Sequence, residues 1–130
     1  MSQALRIAFL VHAAVDFLFG ILLFLIPGRL LQWVGWKPID PIISRVLGAA
    51  LLALAWSSFR GWRAAERSQV VFTVEMEAAF TVLGCIALLR HLLSAPYPAM
   101  VWIVFAIMGV FAVTWIVFLV RQWRQQVPPS

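Results

Sequence analysis

Four apolar runs dominate the chain, over about residues 7–26, 42–59, 70–89 and 99–120, and polar residues gather between them. Each run is near the ~20 residues a helix needs to cross ~30 Å of hydrocarbon. Lipid cannot satisfy the open edge of a strand, so each run is expected to be a helix. Breakers separate them. Pro27 and Gly28 stop the first run, Asp40-Pro41 starts the second, and Arg60-Gly61-Trp62-Arg63 closes it. Pro96 and Pro98 bracket the turn before the fourth. Asp40 is also well placed for the start of a helix, where a carboxylate is favourable. The first run ends in Ile26-Pro27-Gly28-Arg29 without a small-residue cleavage pattern, so it is expected to be a retained span rather than a secretory signal. The predicted fold is all-α: one polytopic membrane domain over residues 1–130, an antiparallel bundle of four transmembrane helices.

Composition strengthens that reading. Apolar residues make up 64% of the 130 and charged residues 12%. A soluble domain is roughly half apolar and a quarter charged. Glycine and proline are ordinary and there is one cysteine, Cys85, inside an apolar run. Disorder, collagen and disulfide scaffolds are thereby excluded. The formal net charge is +5. Its arginines sit in small groups at the ends of the runs, which is the pattern of an orientation signal rather than of a nucleic-acid surface. One side carries Arg6, Arg60, Arg63, Arg67, Arg121 and Arg124, the other Arg29, Lys37, Arg45 and Arg90. That bias predicts both termini in the cytoplasm. Trp33, Trp36, Trp62, Trp102 and Trp123 fall near the span boundaries, where amphipathic rings prefer the headgroup level. Trp56 and Trp115 lie about a turn further in, as core or pocket residues. The expected partner is the lipid bilayer, without nucleic acid. So small a bundle also leaves surface for a homo-oligomer or a larger membrane complex.

Gly20, Gly48 and Gly84 fall in the outer half of this topology, and Ala49, Ala53 and Ser57 form an i, i+4, i+8 ridge on the second span. Small residues let helices approach closely in lipid. The first three helices are therefore expected to meet tightly near the outer face.

Ionisable residues inside spans are rare, because burying one costs ~2.5–3.5 kcal/mol on insertion scales. Four stand out: His12, Asp16, Glu75 and Glu77. His12 and Asp16 are four apart on one helix face. Glu75 and Glu77 are about 200° apart and cannot point the same way. His12 and Glu75 come out at similar depth, and Ser57, Ser58, Thr73, Thr81 and Thr114 lie in or near the same half. The polar bias of that half suggests a crevice opening to the cytoplasm, with these residues holding a proton or a small ligand. The plainer reading is glue: the same groups bond one another, or the glutamates pair with Arg60, Arg63 or Arg67.

Much chemistry is excluded or disfavoured. His12 and His91 fall near opposite faces, which argues against bis-histidine haem. Cys85, His12 and His91 are too few for a four-ligand structural zinc. There is no phosphate loop, dinucleotide fingerprint, His-Glu-x-x-His or nucleophile elbow. A carboxylate-rich metal site on His12, Asp16 and Glu75 is a minor alternative; no metal, no cofactor and no enzyme activity are expected.

Four helices in little more than a hundred residues, with an acid in the first, resemble the layout of the small multidrug resistance exporters. The likeness implies that Asp16 is the counterpart of the acid that trades protons for cationic drugs. It does not extend to the family's Gly- and Tyr/Trp-containing helix motifs, and Tyr97 lies in a connector. Pro27-Gly28-Arg29, followed by Arg45-Val46-Leu47-Gly48-Ala49 at the start of the second span, is similar to uncharacterised bacterial four-helix inner-membrane proteins. That likeness covers roughly the first half of the chain and implies a fold and an inner-membrane address without an activity. The sequence thus favours a non-enzymatic accessory or interaction subunit. The alternative is a proton- or cation-coupled small-molecule carrier or ligand-binding protein. Carboxylates converging on one interior cavity would favour the carrier, and carboxylates paired with Arg at helix ends the subunit.

Overall fold

The computed structural model describes residues 1–36, 40–94 and 96–126, so Lys37 lies outside the described residues. Among them there are five α-helices and no strand: α1 Gln3–Leu25, α2 Pro27–Trp33, α3 Pro41–Arg63, α4 Val71–Leu92 and α5 Ala99–Gln126, with a 3-10 turn Ser68–Val70 leading into α4. The four long helices are each long and apolar enough to cross a membrane.

The helix starts follow from capping. Ser2 accepts from the Leu5 amide at 3.3 Å. Asp40 accepts from Ile42 and Ile43 at 2.7 and 3.2 Å, with Pro41 behind it. Helix ends depart from the expected bounds. α3 continues through Arg60 and Arg63, which sit in its last turn, where a positive charge suits the helix dipole. Pro27 ends α1 but opens α2, a helix not expected from the sequence, because proline's missing N–H and fixed φ suit a first-turn position. α2 closes at Gly35, whose φ of 68° lets the Trp36 amide reach Leu31 O at 2.8 Å and the Gly35 amide reach Gln32 O at 3.1 Å.

The long helices run up and down in two antiparallel pairs, α1 with α3 and α4 with α5. Gly20 and Gly48 set the first seam. A methyl on Gly48 would lie 2.6 Å from the Phe24 amide nitrogen and 2.8 Å from the Gly20 carbonyl oxygen. Gly84 faces the Met108 side chain of α5 instead. The expected three-helix contact near one face is therefore corrected. Gly20 and Gly48 tighten the α1–α3 pair, while Gly84 meets Met108 of α5 and lines the cavity between the pairs. The Ala49–Ala53–Ser57 ridge is corrected too: Ala49 and Ala53 are exposed, and the buried stripe of α3 is Ser44, Gly48, Ala55, Ser58 and Gly61.

The two pairs meet over an apolar core of Leu5, Phe9, Val70, Val74, Ala78 and Trp115. Trp115 and Phe9 are fully buried, with ring centroids 5.1 Å apart. Trp115 is thus a core residue, while Trp56 is 62% exposed on the outer surface. Trp33, Trp102 and Trp123 are exposed as well.

Candidate functional site

Along α1, the core residues Leu5 and Phe9 give way one turn later to His12 and Asp16. Both are buried, and α3 and α4 add buried Ser58 and Glu77 to the same spot. His12 Nδ1 lies 3.2 Å from Asp16 Oδ2, 3.2 Å from Ser58 Oγ and 3.6 Å from Glu77 Oε2. Ser58 donates its hydroxyl to Glu77 Oε1 at 2.8 Å. A hydroxyl has one hydrogen, so Ser58 meets His12 through its lone pair when Nδ1 carries the ring proton. α5 supplies a wall: Phe111 and Trp115 stand edge-on to the His12 ring, with centroids 4.4 and 5.3 Å away.

Three oxygens surround one ring nitrogen, and one N–H cannot satisfy them all. Asp16 Oδ2 and Glu77 Oε2 are buried with no hydrogen-bond partner. The short distances to His12 place these atoms together without the alignment of a hydrogen bond. Among the described residues, no Lys or Arg pairs with either acid; the ion-pair contacts of Asp16 and Glu77 both go to His12. A buried acceptor left unmet costs about 1–3 kcal/mol. Ser58 bonds His12 and Glu77 across three helices, as glue would, while Asp16 Oδ2 and Glu77 Oε2 stay unmet.

Glu75 is not part of this group. It is exposed, one turn into α4, on the same face as exposed Phe72 and Leu83. The expectation that Glu75 joins His12 and Asp16 is corrected to Glu77. The helix phase admits only one of the two to the interior. The sequence does carry a signal for the right one: Thr81 lies four residues beyond Glu77, is buried, and donates to Glu77 O at 2.7 Å. Ser58, expected only as one of several polar residues in this half, is the link between α1 and α4. Among the described residues neither acid bonds Arg60, Arg63 or Arg67, and Arg45 makes no pair with Asp16.

Beyond the cluster the two helix pairs separate. A cavity of about 410 Å³ lies between them. His12 and Asp16 stand at one end of it, and Phe19, Leu31, Leu51 and Val104 line its apolar walls. It runs toward α2, the end assigned to the outer face by the arginine bias. A second, polar crevice lies at the opposite end, beside Arg60, Arg63, Gln69 and Thr73. It contains none of His12, Asp16 and Glu77. The expected crevice is therefore present at the Arg60–Arg63 end, with Ser57 and Thr73 in its lining, but His12 and Asp16 belong to the separate cavity, with the Phe9–Trp115 core between the two.

No family model, no curated protein and no solved structure matches the chain.

Proposed function

We propose that this small polytopic membrane protein binds, and carries, a small and mainly apolar molecule. The molecule occupies the cavity between the helix pairs, and its binding is coupled to a cation at His12, Asp16 and Glu77. One observation carries the reading: Asp16 lines an apolar cavity while its Oδ2, buried, has no hydrogen-bond partner. A volume of about 410 Å³ falls in the roughly 300–1,000 Å³ range of small-molecule sites. Apolar walls with a few convergent polar groups are the usual division of labour in such sites. The reading is non-enzymatic. It draws on the absence from the sequence of a nucleophile elbow, phosphate loop or His-Glu-x-x-His pattern. The arginine bias supports both termini inside, and the likeness of Pro27-Gly28-Arg29 and Arg45-Val46-Leu47-Gly48-Ala49 to bacterial four-helix inner-membrane proteins supports that location.

The test uses decylamine, which joins a cation to an apolar body. Wild type, Asp16→Asn and the cavity-filling Val104→Trp are compared in lipid nanodiscs by thermal unfolding, with decanol and decanoate as head-group controls. Ligand at 100 times its Kd is worth about 2.7 kcal/mol. Decylamine is expected to raise the midpoint of wild type alone. Equal shifts in all three proteins would mark simple partitioning into the bilayer and refute the site.

A second reading, an accessory subunit or oligomer, draws on exposed Ala49 and Ala53, which would let a further helix approach α3 closely. A mass in detergent that falls when both are changed to Leu would support it.

A further inference from the structure

We propose that the cation held by His12, Asp16 and Glu77 is a divalent first-row transition ion of the Zn2+ class, bound at the meeting point of α1, α3 and α4. The proposal rests on the reading of this cluster as a cation site and names the ion.

Geometry supports it first. One ligand atom from each of the three residues lies within 4.8 Å of the other two. Zinc bonds to His nitrogen and carboxylate oxygen are about 2.0–2.2 Å, so tetrahedral ligand edges are about 3.3–3.6 Å. His12 Nδ1 stands 3.2 Å from Asp16 Oδ2 and 3.6 Å from Glu77 Oε2. Two edges of the tetrahedron are thus in place before any side chain turns. The third edge joins a carboxylate oxygen of Asp16 to one of Glu77 within 4.8 Å.

The unmet atoms are a second, independent observation. Asp16 Oδ2 and Glu77 Oε2, the two oxygens turned toward His12, are the buried carboxylate atoms without a hydrogen-bond partner among the described residues. An ion between them and the Nδ1 lone pair would satisfy all three at once. Charge agrees: once deprotonated, two carboxylates and a neutral imidazole carry −2, and the arginines lie at the helix ends. A divalent ion neutralises the site within the span, where net charge is costly. Binding displaces whatever protons the ligands hold.

The ion class follows from the donors. Ca2+ takes six to eight oxygens and Mg2+ keeps several waters. Here an imidazole nitrogen joins only two carboxylates, short of the oxygens Ca2+ takes, and a nitrogen donor beside an apolar wall suits a four-coordinate transition ion better than hydrated Mg2+. Three protein ligands leave a fourth position, and the cavity begins at His12 and Asp16. Ser58 is then the positioning residue: its bond to Glu77 Oε1 leaves Oε2 turned toward the ion.

The experiment is Co2+ titration of purified, chelator-stripped protein in mild detergent, in a Cys85→Ser background, followed by visible absorption and then by displacement with Zn2+. Wild type is expected to take up one Co2+ per chain with the visible bands of a four-coordinate ion. Outer-shell partners of metal sites are typically worth 10–100-fold in affinity. Loss of a ligand in Glu77→Gln or Asp16→Asn is therefore expected to weaken binding at least about 100-fold, and Ser58→Ala roughly 10–100-fold. Glu75→Gln is expected to bind as wild type. Circular dichroism and elution volume verify each fold, and Asp16→Asn serves if Glu77→Gln does not fold. Absence of saturable binding by folded wild type, or equal binding by folded ligand variants, would overturn the proposal. If decylamine still required Asp16 in that event, the carrier reading would stand with another coupling cation.

Discussion

Replacing Gly48 by Ala tests the seam that sets the first helix pair. The added methyl would meet the Phe24 nitrogen at 2.6 Å and the Gly20 oxygen at 2.8 Å. Both are backbone atoms of α1, so neither can turn aside. Ordinary contact begins near 3.4 Å, so the two helices must part by about 0.8 Å. A radial gap of 0.5–1 Å forfeits about a quarter to a half of each dispersion contact along a seam, and overpacking costs typically about 1–3 kcal/mol. Gly109 is the matched control. No atom lies within 4 Å of a methyl placed there, and Ala is about 0.8–1 kcal/mol better than Gly in a helix. That gain applies to both variants, so Gly48→Ala is expected to be about 1–3 kcal/mol less stable than Gly109→Ala. Denaturant unfolding in mild detergent, followed by far-UV circular dichroism, measures the difference. Equal stability of the two variants would refute the close approach of α1 and α3.

Three further outcomes follow from single contacts. Trp115→Ala removes a fully buried ring that touches Phe9, His12 and Phe118; a loss of roughly 3–5 kcal/mol is expected, and a loss under about 1 kcal/mol in the same unfolding assay would mean the core is elsewhere. Asp40→Ala removes the acceptor for the Ile42 and Ile43 amides, and should cost about 0.5–2 kcal/mol, while Asp40→Ser should restore most of it. Glu75→Gln alters an exposed side chain, and its stability should stay within about ±0.5 kcal/mol of wild type; a larger change would place Glu75 in contacts the fold does not show.

The four spans are legible in the sequence because length and hydropathy fix them. Asp40-Pro41 is legible because a capping carboxylate followed by proline has one local meaning. Pro27 reads only as a stop, since the same chemistry that ends one helix can open the next. Gly84 points to the wrong partner because a glycine reports that something comes close, not which helix does. The Ala49–Ala53 ridge misleads for the same reason: spacing defines a face of α3 but not its neighbour. At the site, the i, i+4 spacing by itself joins His12 to Asp16 on one face of α1. Choosing between Glu75 and Glu77 requires the phase of α4. Thr81, one turn beyond Glu77, can supply it, as can the run of apolar residues around Glu75. The direction of the cavity is not legible, because it depends on where two helix pairs part, and no local pattern encodes that.

Whether Asp16 and Glu77 act as one site is the central question, and a double-mutant cycle answers it. Asp16→Asn, Glu77→Gln and the double variant are compared with wild type for decylamine affinity and for unfolding free energy. Distant, independent sites add within about 0.3–0.5 kcal/mol, whereas groups sharing a partner couple by about 0.5–3 kcal/mol. Both acids stand within 3.6 Å of the same His12 nitrogen. The expected result is non-additivity above about 0.5 kcal/mol, with the double variant losing little more affinity than either single one. Additive losses, or affinity unchanged by either substitution, would contradict a shared site.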